Sequence, residues 1–477
     1  MLLKPINKWC GIVLFAVLIS ACKTPMLTEK SVNTQLPGTY AMSKDTVNAA
    51  NIAWRKFYED PYLVKLIDTA LFNNQELNIL AQEIEISKNE VFARKGEYMP
   101  FVNYRAGAGV EKAARYTNIG ASEATTEIKP GRKTPEPLPD FMGGLFASWE
   151  VDIWHKLRNA RDAAYNRYLA TVEGRNFVVT NLVAEIAHSY YELLALDAQL
   201  QMVRQNISIQ SNALEIVKIQ KEGSRATELA VRKFEAEVLR TRSLEFDLQQ
   251  QIIETENMIN FLVGRNPQSV ERDTAYFGNV VPVVPSIGTP DQLLANRPDI
   301  REAELKLKAA KIDIAVAKAN FYPSLDLSAS LGLQSFNPLY LAKLPESMLA
   351  SVIGDLVGPL VNKNAITAQY YNANASQIQA IYEYERTVLR AYIEVVTQVA
   401  NMQNLANSYA LKSQAVDALS QSITISNDLY LSARADYMEV LLTQRDALEY
   451  KFELVETKKQ QLSALVNLYH ALGGGWN

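Results

Sequence analysis

The sequence predicts a mostly α-helical chain with a transmembrane β-barrel. It has two internal repeats and closes as a trimer, whose 12-stranded barrel continues into a 12-helix α-barrel. Three observations predict this. Two helical stretches run through a proline into alternating, two-faced strands. No run of eighteen apolar residues follows the first two dozen, so a membrane can be crossed only by strands. The order of elements is written twice.

The start has the shape of a signal peptide over residues 1–21. Lys4 and Lys8 precede an apolar run from Trp9 to Leu18, and Leu18-Ile19-Ser20-Ala21-Cys22 has the pattern of a lipobox. Cys22 is then the acylated N-terminus, its covalent lipid the one expected attachment; an ordinary signal peptide containing a cysteine is the alternative. Lys23, where an aspartate would favour inner-membrane retention, favours the outer membrane. Cys10 leaves with the signal, so no disulfide is expected. Its removal takes two lysines and no acid, so the net charge goes from −4 to −6. With 48 basic against 52 acidic side chains and no basic tract, nucleic acid is not an expected partner.

A helix is expected from Gln75 to Gly96, and alternation begins at Pro100. Val102, Tyr104, Ala106, Ala108 and Val110 share one face; Asn103, Arg105, Gly107 and Gly109 share the other. At an offset of 223 residues Pro323 repeats the device after a helix from Asp299 to Asn320. There Leu325, Leu327, Ala329, Leu331 and Leu333 oppose Ser324, Asp326, Ser328, Ser330 and Gly332. Proline lacks an N–H and disfavours helix in the residue before it, so it ends a helix and starts a strand without a loop. A helix stop with no membrane meaning is the plainer reading of either proline alone. Gly223–Val231 and Ser432–Val440 match at an offset of 209, and the 14-residue difference is a longer loop, residues 111–140, in the first half.

The returning strands are expected at Phe141–Ile153 and Met348–Leu356. Long helices are expected at His155–Lys221 and Ala365–Ser432, and shorter ones at Glu228–Val263 and Tyr437–Leu472, with Gly264 and Gly473–Gly475 as stops. A helix of about 67 residues is roughly 100 Å long, and the shorter pair of the first half totals roughly 87 Å. Such lengths suit a coiled-coil-like wall. Four strands leave two edges, which lipid does not tolerate. Two chains give eight strands, a barrel filled by side chains; three give twelve and leave a conduit. A soluble amphipathic sheet is the alternative.

Five stretches carry a family resemblance. They are Trp54 with Phe57-Tyr58-Glu59-Asp60-Pro61; Ser148-Trp149-Glu150-Val151-Asp152-Ile153-Trp154; Leu293-Leu294-Ala295-Asn296-Arg297-Pro298-Asp299-Ile300; Ala319-Asn320-Phe321-Tyr322-Pro323; and Leu468-Tyr469 with Ala471-Leu472-Gly473-Gly474-Gly475-Trp476. The chain resembles TolC-type outer membrane efflux factors, in the lipoprotein branch that partners resistance-nodulation-division pumps. The resemblance implies a homotrimer in the outer membrane of a Gram-negative bacterium with a large periplasmic part. It also implies a periplasmic adaptor and an inner-membrane pump as partners, and passive export of small molecules. On this reading the chain divides into signal peptide 1–21, anchor and N-terminal segment 22–74, first repeat 75–264, equatorial linker 265–297, second repeat 298–473 and tail 474–477. Pro100 and Pro323 mark the border between tunnel wall and barrel.

The resemblance places the turns Gly223–Glu228 and Ser432–Asp436 at the periplasmic end, where family members close an aperture with acidic and apolar side chains. Glu439 matches an acidic position; three copies would repel one another and attract cations. A second acid expected one turn later is Leu442 here, and Arg434 stands one position from where a salt-bridge partner is expected. Asp436 is a further aperture candidate. Gly223, Arg225 and Glu228 are expected to face the adaptor or to be plain solvated turn residues.

Tyr98, Tyr104 and Tyr322 suit an interfacial girdle. His155, His188 and His470 show no ligand spacing, and the ten methionines are not clustered, so no metal is expected. No phosphate loop, catalytic triad or cysteine nucleophile is present, and an enzyme is not expected. The alternatives are a type I secretion outlet for polypeptides and a lipid-anchored coiled-coil scaffold without a pore.

Overall fold

The structure, a computed structural model, describes residues 24–40, 47–432 and 434–477. Cys22, with its expected lipid, lies outside them. In chain order the elements begin with α1 (Trp54–Phe57), α2 (Pro61–Asn73), α3 (Gln75–Glu97) and β1 (Phe101–Glu111). Then come α4 (Asn118–Thr125), β2 (Glu127–Lys129), β3 (Arg132–Lys133), β4 (Leu138–Val151), α5 (Lys156–Glu222) and α6 (Glu228–Val263). After α7 (Thr274–Asn279) and α8 (Gln292–Asn296), the helix–strand pattern repeats in α9 (Pro298–Ala319), β5 (Ser324–Ser335), β6 (Met348–Val357), α10 (Asn364–Leu431) and α11 (Tyr437–Ala471). Among the described residues no helix is long and apolar enough to cross a membrane.

The chain divides into two compact units. In the first (24–31, 86–168 and 305–381), a four-stranded antiparallel sheet has the order β1-β4-β5-β6. The junctions at Pro100 and Pro323 are alike. The Trp149 indole donates to the Tyr98 carbonyl (3.0 Å) and the Trp154 indole to the Pro323 carbonyl (2.8 Å), so backbone freed by the helix stop is satisfied by a ring from the returning strand's end. Trp154 also stacks on Tyr322, with centroids 4.7 Å apart. Phe321 packs edge-on against Tyr370, and Leu27 packs onto that cluster.

The structure corrects several expected boundaries. The first long helix begins at Lys156, because His155 has φ 56° and Asp152 caps the helix, its carboxylate accepting from the Leu157 and Arg158 amides. The returning strands are Leu138–Val151 and Met348–Val357, β4 reaching three residues further back than expected to pair Leu138 with Glu111. Residues 111–140 are not a plain loop. Thr117 caps α4, and β2 and β3 pair as a hairpin.

The second unit (32–40, 47–85, 169–304 and 382–477 as described) holds the main core. Trp54, Leu63, Ile67, Ile186, Tyr190 and Tyr469 are among its buried members. Asp60 caps α2 through the Tyr62 amide and accepts the Tyr190 hydroxyl (2.7 Å); burial, with Asp60 alongside, pushes that phenol up. Asn74 separates α2 from α3, donating to the Leu262 carbonyl and accepting the Leu77 amide. α6 ends at Gly264 in the left-handed region (φ 72°), where a Cβ would stand 2.6 Å from the Asn73 carbonyl oxygen. α11 stops one residue earlier than expected, at Ala471. The Gly-Gly-Gly-Trp tail then folds back, Trp476 donating to the Gly473 carbonyl (3.0 Å) and lying under the Arg301 guanidinium. Arg297 closes this region. It is 3% exposed and binds Asp299, Glu394 and the Ala471 carbonyl.

Candidate functional site

The register of the sheet fixes what each of its faces is made of. Asn103 aligns with Phe146, Ser330 and Ser351; Phe101 with Ser148, Ser328 and Ile353. On the other face Val102, Tyr104, Ala106, Ala108 and Val110 continue through Phe141, Leu145, Ala147 and Trp149. Beyond them lie Leu325, Leu327, Ala329, Leu331 and Leu333, then Met348, Ala350, Val352 and Leu356. That face carries no charge across all four strands. The polar face carries Asn103, Arg105, Glu150, Asp326, Ser328 and Asp355, the last three strands' acids lying directly opposite one another. Glu150 is ion-paired with Lys156 and Asp326 accepts the Ser324 hydroxyl. A sheet with these two faces fits lipid on one side and water on the other. Among the described residues its edge strands β1 and β6 have no strand on their outer side.

The second candidate is the tip of the second unit. Both tip turns sit on one apolar cluster, in which Val217 of α5, Val231 and Phe234 of α6 and Leu441 of α11 pack together. The Tyr430 hydroxyl at the end of α10 donates to Gln220 (2.6 Å) near the end of α5, linking the two turns. Burial, then Asp436, pushes that phenol up. Neither Tyr430 nor Gln220 was singled out from the sequence, because a hydrogen bond across 210 residues leaves no local signal.

The two turns differ in chemistry. In the first, Gly223 and Arg225 return amides to the Ile219 and Gln220 carbonyls, Ser224 takes φ 56°, and Thr227 caps α6. Glu228 is held by Lys221 (2.8 Å) and Arg232 (2.9 Å), and the Lys221 bond above all lowers its carboxyl. In the second turn Asp436 precedes α11 but its side chain makes no cap bond. Arg434, Asp436 and Glu439 are exposed, and among the described residues none has an ion-pair partner. Arg434 and Glu439 therefore do not pair within the chain. Leu442 is exposed one turn beyond Glu439, and the same helical face continues through Asp446 and Glu449. Positions 439, 442, 446 and 449 follow three- and four-residue steps, so this face was legible in the sequence.

The histidines are dispersed: His155 just before α5, His188 within it, His470 in the last turn of α11. Among the described residues no group of His, Cys, Asp or Glu is arranged to hold a metal.

The family model for outer membrane efflux proteins matches residues 66–265 and 289–474. The pyoverdine export outer membrane protein OpmQ of Pseudomonas aeruginosa is 27% identical over 427 residues, covering 89% of this chain and 87% of its own. The cation efflux system protein CusC of Escherichia coli is 27% identical over 446 residues, covering 92% and 93%. The crystal structure of the open state of the Neisseria gonorrhoeae MtrE outer membrane channel superposes with a TM-score of 0.82 at 21% identity, covering 95% of this chain and 99% of that one.

Proposed function

We propose, from the premise that this chain belongs to the outer membrane efflux protein family, that three copies close into one continuous duct. The chain is an outer membrane efflux channel subunit, with a large periplasmic part. One observation carries the trimer: a sheet with one uncharged, mostly apolar face ends in two open edges, β1 and β6. Unpaired backbone in hydrocarbon costs several kcal/mol per group. Because β1 and β6 run antiparallel to each other, β6 of one copy continues the alternation onto β1 of the next. Two copies would give a barrel filled by its own side chains; three leave a water-filled lumen lined by the polar face.

The helices support the same reading. Leu239, Phe246 and Ile253 recur every seven residues on α6 and are exposed, as are Leu389 and Val396 on α10. Uncovered seven-residue seams are what a coiled-coil wall presents to its neighbour. The lipid on Cys22 fits as well, since Leu27 is anchored beside Phe321, two residues from the Pro323 junction.

The duct delivers substrate passively. The tip turns receive the periplasmic adaptor through Gly223, Arg225 and Glu228, and an inner-membrane resistance-nodulation-division pump supplies the cargo. Asp436, Glu439, Leu442 and Arg434 line the aperture. The relatives' named cargoes, pyoverdine and cations, are chemically unlike, which fits a duct that leaves selection to the pump. The test is planar-bilayer conductance of the purified protein together with its mass in detergent. A trimer that conducts is expected. A monomer that never conducts, even in a variant with Asp436→Asn and Glu439→Gln, would overturn the reading.

A further inference from the structure

The two open edges of the sheet each carry an unanswered charge. Arg105 on β1 and Asp355 on β6 both lie on the polar face and are exposed. Among the described residues neither side chain has a hydrogen-bond or ion-pair partner; Arg105 has only the Phe146 ring, whose centroid is 5.9 Å from the guanidinium carbon. Asp355 is also poorly placed within its own chain. It aligns across the strands with Asp326, and Asp326 with Glu150, so three carboxylates stand in one row. Glu150 is answered by Lys156 and Asp326 by the Ser324 hydroxyl. Like charges directly opposite one another destabilise a sheet, and Asp355 ends the row with no counter-charge. A cation can reach it from a strand laid along the outer side of β6.

We propose that Arg105 of one copy and Asp355 of the next form an ion pair at each seam of the ring, and that this pair sets the register in which copies of the chain join. The inference rests on the duct reading, which supplies the ring but not its register.

Barrel geometry brings the two groups together. A sheet cannot close without stagger, because its strands tilt by about 35–45° to the barrel axis. Four strands about 4.8 Å apart, tilted in this way, displace the line of register by roughly 13–19 Å, or about four to six residues per copy. The polar faces must stay on one side of the wall, so the displacement is an even number of residues. Within one chain the line through Asn103 reaches Ser351, and the line through Arg105 reaches Leu349. At the upper end of the range, Arg105 of the next copy stands directly opposite Asp355. At the lower end Asn103 stands there, and Arg105 is one diagonal step away, within reach of so long a side chain. Both displacements keep Phe101–Glu111 against Met348–Val357 over most of their length, whereas the opposite sense slides β1 past the end of β6. The carboxylate can accept both arms of the guanidinium fork. Only copies joined in this register gain the contact, so it selects against slipped neighbours.

The experiment reverses the two charges singly and together in the full chain, and reads the temperature at which the detergent-resistant trimer falls to monomer. Arg105→Asp and Asp355→Arg should each lower that temperature by several degrees, and the double exchange should restore most of the loss. Asp355→Arg is the sharper case. Inside one chain it relieves the repulsion from Asp326 and should do no harm; across a seam it meets Arg105. Single variants as heat-resistant as the wild type, or a double exchange no better than the worse single one, would overturn the inference and leave the duct standing. Should the reversed variants fail to assemble, Arg105→Cys combined with Asp355→Cys or with Ile353→Cys should join copies on oxidation in one of the two combinations. No cross-link in either, in protein that is trimeric, overturns the inference equally. A wild type that is never trimeric would instead overturn the duct reading.

Discussion

At the scale of single residues, Arg297 shows how a buried charge is kept. Its guanidinium has three acceptor groups, two of them carboxylates. Removing one partner of such a network leaves the others uncompensated, at a cost of about 3–5 kcal/mol. Arg297→Gln should lower thermal stability far more than Arg55→Gln, whose bond to Asp68 is exposed and worth at most about 1 kcal/mol. A melting curve of each variant checks the contrast. Gly474 makes a second residue-scale case. A Cβ there would lie 2.3 Å from the Tyr469 ring, itself stacked on Phe57 with centroids 3.8 Å apart, so Gly474→Ala should cost about 1–3 kcal/mol. At the tip, Glu439 has no partner among the described residues, and its carboxylate is free to act on its own copies in a ring. Glu439→Ala should raise leak conductance or antibiotic entry; an unchanged leak would remove Glu439 from the gate.

At the scale of elements, the strands follow from two-residue alternation and the paired sheet adds what one strand cannot say. Alternation in β1 and β5 was readable residue by residue. That β4 and β6 put Phe141, Leu145, Ala147, Val352 and Leu356 on the same side follows only from register. A charge on that side should be costly: Ala329→Lys should cost about 2–4 kcal/mol if the position lies near the bilayer centre, whereas Ser328→Lys on the opposite face should be tolerated. The yield of heat-modifiable protein in outer membranes checks this, and equal yields would assign the wrong face to lipid. The helices were legible because their periodicity is long and their stops are glycine or proline. The misjudged places had weaker signals. His155 adopts a left-handed φ that its residue type does not announce, and α4 is eight residues among threonines and prolines, too short for periodicity to reveal. The tip was partly legible. Its turns align by duplication, but the tyrosine link between them and the lack of a cap at Asp436 depend on packing.

At the scale of the whole molecule, strand number and closure are one question, and thiol chemistry can count the answer. The sequence has two cysteines, Cys10 and Cys22, both outside the described residues, and acylation would leave Cys22 no thiol. A cysteine pair placed on β1 and β6 therefore reports only contacts between copies, because within one chain β4 and β5 separate these strands. Asn103→Cys on β1, combined in turn with Ile353→Cys, Asp355→Cys or Val357→Cys on the matching face of β6, samples three registers. A disulfide needs Cα atoms within about 4.4–6.8 Å, so one register should react and the others should not. If the ring closes at three, oxidation of the reactive pair gives species of two and three chains and nothing larger, since the third bond joins the last copy to the first. A ladder running past three would mean a wider ring or an open filament. No cross-link in any register would mean that β1 and β6 do not meet, and the polar face would then line no lumen.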